Sequence, residues 1–277
     1  MYMEKLRLDG RVAVVTGGAQ NIGLACVTAL AEAGARVIIA DLDETLAAQS
    51  AEDLRKQDLN VDSIRMDVTS TESVQSAIKT LHEKEGHVDI LVACAGICIS
   101  EVKAEDMTDG QWLKQVDINL NGMFRCCQAV GRIMIEQKKG AIVAIGSMSG
   151  QIVNRPQQQA AYNASKAGVH QYIRSLAAEW APHGIRANAV APTYIETTPT
   201  RFGMEKPELY DAWIAGTPLG RVGQPDEAAS VVQFPASDAA SPLTGAIVTV
   251  DAAFPLRSVS NLQSGLSAQR PAPTSAL

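Results

Sequence analysis

At 277 residues the chain has the length of one large domain, or of two at most. Apolar residues make up 46% and charged residues 19% of it, an ordinary globular composition that excludes an intrinsically disordered protein. The formal charge of −6 with no basic run leaves no footprint for nucleic acid, no apolar stretch is long enough for a membrane span, and the start MYMEKLRLDG has no signal-peptide core, so the expected compartment is the cytoplasm.

The first β-branched run, RVAVVT (11–16), leads into the glycine-rich TGGAQNIG (16–23) and a stretch of helical length and composition over 21–34. The alternation continues with RVIIAD (36–41) before a helix over 43–57, VDSIRMD (61–67) before 70–86, and VDILVA (88–93) before 119–138. AIVAIG (141–146) precedes a helix over 160–182, IRANAVAP (185–192) follows, and a helix over 225–238 leads to AIVTVD (246–251). Seven strands separated by helices predict a parallel sheet of βαβ units, and their unbroken apolar character fits strands covered on both faces. With right-handed crossovers this is an α/β, doubly wound, parallel seven-stranded sheet in a single domain over 1–255. Residues 193–217, rich in Thr, Pro and Gly around a short helix, break the alternation just past a strand end and read as a substrate lid. Over 256–277 the composition turns to Ser, Pro, Ala and Gln, which predicts a disordered tail.

The five cysteines lie scattered in apolar segments without CxxC pairing and read as buried small hydrophobes; the four histidines have no metal-ligand spacing, so no protein-built metal site is expected. Three other features carry chemistry. The glycines from Gly17 to Gly23 let backbone approach a pyrophosphate seated on the N-terminal amides of the next helix, although such turns also serve plain strand-to-helix reversals. Asp41, twenty-four residues beyond Gly17, stands where an acid takes a ribose 2′-hydroxyl, or simply caps the following helix. Together the two point to a dinucleotide. Tyr162 and Lys166 in YNASK project from one helix face, though a lone YxxxK also arises by chance. An ammonium about 5 Å from the phenol, at an effective dielectric near 20, is worth roughly 3 kcal/mol, enough to lower the phenol by about two pKa units toward working pH. Ser147 in GSMSG lies just past the fifth strand, at the edge where ligands collect; it is either a donor to a substrate oxygen or an ordinary turn serine.

From about Leu6 to Phe254 the chain resembles the short-chain dehydrogenase/reductase family. The resemblance implies a Rossmann fold with sheet order 3-2-1-4-5-6-7 and a Ser, Tyr, Lys and Asn tetrad that couples proton transfer to hydride transfer. It assigns Ser147, Tyr162 and Lys166, with Asn119 in VDINLNG as the helix-kink asparagine holding a water on the proton path to Lys166. It also implies a dinucleotide-binding set: Gly17, Gln20, Asn21, Ile22 and Gly23 in the turn; Asp41 and Leu42; Asp67 and Val68 at the adenine; Ala95 and Gly96; Tyr162 and Lys166; Pro192; Ile195 at the nicotinamide carboxamide; and Thr197 near the pyrophosphate. Asp41 would repel a 2′-phosphate, and neither Leu42 nor Gln20 offers a cation to neutralise one, so the expected cofactor is NAD. A homotetramer through the helices at 119–138 and 160–182 and the final helix and strand is also implied. Four departures from the family pattern stand out: Asn21 at a glycine position, which favours Asn if φ is positive; ACAG (93–96) for NNAG; Pro192-Thr193 for PG; and VDAA (250–253) for VDGG.

Within the family, GSMSGQIVNRPQQQAAYNASKAGVHQ (146–171) resembles the polyol dehydrogenases acting on galactitol, arabinitol, sorbitol or xylitol. Its Ser-to-Tyr gap is fifteen residues against the family's common thirteen. The insertion would bring Ser149, Asn154 and Gln157 toward the site, with Tyr194 and Glu196 joining from the lid, and such polar lining suits a small polyhydroxylated substrate. The expected activity is reversible hydride transfer between NAD and a secondary alcohol of a sugar alcohol, giving a ketose. A 3-oxoacyl or small-ketone reductase would use the same tetrad, and a dinucleotide-binding protein without turnover is a third reading, against which the intact tetrad argues.

Overall fold

A computed structural model describes residues 1–254; the tail expected over 256–277 lies outside them. Seven strands, β1 (Val12–Thr16), β2 (Arg36–Asp41), β3 (Val61–Arg65), β4 (Ile90–Ala93), β5 (Gly140–Ile145), β6 (Ile185–Pro192) and β7 (Ile247–Val250), form one sheet in the order β3-β2-β1-β4-β5-β6-β7. All six pairings are parallel, so every strand's C-terminal end reaches the same edge. Pairing puts Val14 beside Ile38 and Leu91, and Val15 beside Ile39 and Val92.

Successive residues on a strand face opposite ways, and that alternation splits the core in two. Val14, Ile38, Leu91 and Ile142 pack with α3 (Thr71–Glu85), α5 (Gly122–Gln137) and α6 (Ala160–Trp180). Val15, Ile39, Val92 and Val143 pack with α1 (Asn21–Glu32), α2 (Glu44–Arg55) and α9 (Pro225–Ala236). Both faces are covered, which is why the strands read as continuous apolar runs. Local signals set the helix ends: Asp43 accepts from the Leu46 amide and Ser70 from the Ser73 amide, while α3 stops at Gly86 with φ 79°.

Two segments differ from expectation. The helix expected over 119–138 is reached through α4 (Asp109–Val116), which joins α5 by a π turn at Asp117–Asn121. In α4 the one buried residue is Gln115, so no apolar stripe marked it in the sequence. Residues 193–217 hold two helices, α7 (Thr198–Met204) and α8 (Pro207–Gly216), rather than one, because Pro207 opens a second. No helix among the described residues is long and apolar enough to cross a membrane.

Candidate active site

β1 lies between β2 and β4, so crossovers leave it in opposite directions and open a crevice at its C-terminal end. Gly17 turns there with φ 64°, its amide bonded to the Ala40 carbonyl at 2.8 Å; a Cβ would meet the Ala95 Cα at 2.8 Å. A Cβ on Gly23 would run into the Gly17 carbonyl, so the first turn of α1 sits directly on the glycine loop. The amides of that first turn have no helical partner and point toward the crevice, which suits an anion. Thr16 ties the two sides together, its hydroxyl accepting from the Cys94 and Ala95 amides at 3.0 and 3.1 Å.

Asn21 has φ 52°, the left-handed conformation that Asn tolerates best among non-glycine residues, and its side-chain oxygen accepts from the Thr198 amide at 3.0 Å and the Thr198 hydroxyl at 3.2 Å. The departure from glycine thus links the glycine turn to the start of α7. Asp41 ends β2; its carboxylate accepts from the Ala19 amide and the Asp43 amide, both at 3.1 Å, and each oxygen keeps a second lone pair. Leu42 and Gln20 are exposed beside it, and Ile22 is half-buried. Asp67 holds the next turn through Thr69 amide and hydroxyl bonds of 2.8 and 2.7 Å, which keep its carboxyl below the ordinary range, and Val68 packs on Gly122. On the far side Pro192 ends β6, Ile195 is buried against Gly223, and Thr197 caps α7.

Tyr162 and Lys166 are one turn apart on α6, with the Lys166 Nζ 5.7 Å from the Tyr162 ring centre. Lys166 is buried, and its Nζ donates to the Ile145 carbonyl at 2.7 Å. Burial pushes the Tyr162 phenol up, with Cys98 adding to the rise and a hydrogen bond with Ser147 opposing it. Burial pushes the Lys166 ammonium down to about 8, with Cys94 and Cys98 opposing. The expectation that Lys166 draws the phenol toward neutrality is not met: burial favours the neutral form of both groups, and Lys166 is the member nearer working pH. Gly96 brings the β4 side into contact, since a Cβ there would lie 3.2 Å from Asn119 Oδ1 and 3.7 Å from Lys166 Nζ. Asn119 sits fully buried in the π turn; it accepts from the Ile97 amide at 2.8 Å and donates to the Ile97 carbonyl at 2.9 Å and the Ser165 hydroxyl at 3.1 Å. Its side chain fastens the loop after β4 onto α6.

Ser147 follows β5, and its hydroxyl accepts from the Ser149 amide at 3.1 Å. Its own amide donates to His170 Nε2 at 3.4 Å, and His170 is buried between Gly146 and Gly150, either of which would collide with the ring if it carried a Cβ. Burial, helped by Lys166 and Arg174, drives His170 down to about 4, so the imidazole is neutral and Nε2 is an acceptor. His170 lies four residues beyond Lys166 and eight beyond Tyr162, a helical spacing that could have revealed it. The sequence reading also passed over Gln159 and Trp213.

Ser149, Asn154, Gln157 and Tyr194 come together in one hydrogen-bonded group. Asn154 and Gln157 donate to the Tyr194 hydroxyl at 3.0 and 2.9 Å. Gln159 Nε2 shares its two protons among Asn154 Oδ1 and Asn163 Oδ1, both at 3.0 Å, and the more distant Ser149 hydroxyl at 3.2 Å. Glu196 stands apart, its carboxylate held by Arg201 at 3.2 Å and Gln224 at 2.9 Å.

The family described as enoyl-(acyl carrier protein) reductase matches residues 17–254. The chain belongs to the short-chain dehydrogenase/reductase family. Members of this family are enzymes that bind a nicotinamide dinucleotide and act on alcohols. The chain is 52% identical over 253 residues to a galactitol 2-dehydrogenase of Rhizobium johnstonii, spanning 91% of this chain and 98% of that protein. Among solved structures it is similar to gox2181, with a TM-score of 0.92 and 84% identity over 93% of this chain and all of that one. It is also similar to a gluconate 5-dehydrogenase from Burkholderia cenocepacia, solved with NADP and tartrate, with a TM-score of 0.89 and 34% identity over 93% of this chain and 100% of that one.

Proposed function

We propose that the protein is an NAD-dependent polyol dehydrogenase, interconverting a secondary alcohol of a small sugar alcohol and the matching ketose. The observation that carries this reading is the continuous polar group from Ser147 through Ser149, Gln159 and Asn154 to Tyr194, which borders the Tyr162–Lys166 pair where a purely apolar substrate would want greasy walls. The likeness to a galactitol 2-dehydrogenase supports it. In the oxidation Tyr162 takes the hydroxyl proton as its own phenolic proton leaves toward the neutral amine of Lys166, and Ser147 donates to the same oxygen to orient it; a bound nicotinamide would supply the hydride acceptor. Asn119 keeps Lys166 and the loop after β4 in register.

For the cofactor, Asp41 offers its free lone pairs to a ribose diol and opposes a phosphate, with Leu42 and Gln20 adding no cation. Absorbance of NADH and NADPH across a panel of sugar alcohols and ketoses, with a 3-oxoacyl thioester as control, tests both parts. The expected result is polyol turnover with a higher kcat/KM for NAD, and Asp41→Ala should narrow that preference by about tenfold or more, the loss of a hydrogen bond to a charged group being worth about 1.5–3 kcal/mol. Preference for NADP overturns the role of Asp41; preference for the thioester moves the assignment to a ketoacyl reductase. The quaternary state we propose is a homotetramer: Phe124 on α5, edge-to-face with Tyr172 of α6, is 45% exposed and Trp112 on α4 is 41% exposed, apolar surface that a second copy would cover.

A further inference from the structure

The side chains of the polar group beside the catalytic pair both donate and accept, and its proton directions can be read from two ends. The Trp213 indole N–H can only donate, and it is 3.1 Å from Gln157 Oε1; the Gln157 amide must therefore turn its Nε2 to the Tyr194 oxygen, 2.9 Å away. At the other end the Ile152 carbonyl can only accept, and Asn163 Nδ2 donates to it at 3.3 Å. Asn163 Oδ1 is then an acceptor for Gln159 Nε2 at 3.0 Å, Asn154 Oδ1 an acceptor for the same Nε2 at 3.0 Å, and Asn154 Nδ2 a donor to the Tyr194 oxygen at 3.0 Å. Both lone pairs of the Tyr194 hydroxyl are thereby taken by protons from the protein. Its own proton is the one left uncommitted.

Tyr194 cannot turn away. Its ring is stacked on Trp213 at 4.3 Å and meets Phe254 edge-on at 5.7 Å. Asn154, Gln157 and Gln159 are buried at 4%, 6% and 7% exposure, whereas Tyr194 remains half-buried. Asn154, Gln159 and Ser149 join the Tyr194 hydroxyl to Ser147 through one run of hydrogen bonds, which ties Tyr194 to the catalytic end of β5.

We propose that Tyr194 is the specificity residue of the site: Asn154 and Gln157 orient its hydroxyl so that it donates to an oxygen of the substrate other than the reacting one. On this inference, which rests on the polyol reading above, Asn154 and Gln157 are positioning residues that act through Tyr194 rather than ligands of substrate. The selected class is a chain bearing an acceptor oxygen near its reacting carbon; a simple secondary alcohol leaves the Tyr194 proton without a partner.

The test compares kcat/KM for galactitol and for 2-hexanol in wild type, Tyr194→Phe and Gln157→Glu. In Gln157→Glu a carboxylate accepts from both Trp213 and Tyr194, reversing the phenol's proton without removing the ring. Both variants are expected to lower the galactitol-to-hexanol ratio by about tenfold to a hundredfold, with the loss in KM rather than in kcat. If either variant folds and keeps the wild-type ratio, or both lose the two substrates in equal proportion, Tyr194 is only a packing residue and the inference fails while the polyol reading stands. If wild type itself prefers 2-hexanol, the polyol reading fails and takes the inference with it.

Discussion

Tyr162→Phe is expected to cut kcat by roughly 10²- to 10⁴-fold, the usual contribution of a positioned acid or base, while melting temperature and dinucleotide affinity stay close to wild type. The ring keeps its place on α6 and only the oxygen that exchanges the proton is lost. The accompanying pH profile follows from Lys166. An ammonium held by burial to about 8 cannot accept a proton below that pH, whereas the neutral amine above it can. Alcohol oxidation releases a proton, so its kcat/KM should rise with pH and level off above about 8. The same depression makes the buried charge a full burden on stability below about 8 and relieves it as pH climbs toward the ordinary lysine value of 10.5. More than a tenth of wild-type kcat in Tyr162→Phe would assign the proton transfer to another group. A flat profile with chemistry limiting would remove Lys166 from the proton path.

The sheet was legible because β-branched runs bounded by glycine, asparagine and aspartate leave few alternatives, and the alternation with helices dictates parallel pairing. Tyr162 and Lys166 were legible for the same kind of reason, a spacing that one helix turn makes physical. Their protonation was not. Charge attraction alone governs a pair open to solvent, and whether Ile145 and the loop after β4 close over Lys166 is decided by residues more than twenty positions away. Asn119 was found by resemblance alone, since a π turn has no composition of its own. Asn154 and Gln157 could be picked out as polar residues in an insertion, but their partner Tyr194 lies forty and thirty-seven positions further on, and the proton directions depend on Trp213 and Ile152. Side-chain type is written locally; what an amide donates to is settled by tertiary contacts.

The glycine turn offers the second large effect, and two alanine substitutions separate space from backbone strain. Gly23→Ala places a methyl group against the Gly17 carbonyl. Helix α1 cannot retreat, because Cys26, Val27 and Leu30 are fully buried in the core, so the displacement falls on the Gly17 turn, whose φ of 64° and bond to Ala40 hold the crevice open. Overpacking of this kind costs about 1–3 kcal/mol, and the turn that yields is the one we propose receives the pyrophosphate. Dinucleotide affinity should therefore fall by at least about tenfold, together with a loss of several degrees in melting temperature. Gly10→Ala is the control: φ is 71° there too, but nothing lies within 4 Å of the added Cβ. It incurs only the left-handed penalty of about 1–2 kcal/mol, so its melting temperature should drop comparably with no change in NADH affinity. Fluorescence titration of NADH alongside thermal unfolding of both variants decides the matter. If Gly23→Ala binds NADH like wild type, the contact between α1 and the glycine loop does not shape the cofactor site; if Gly10→Ala loses as much affinity, destabilisation alone accounts for the effect.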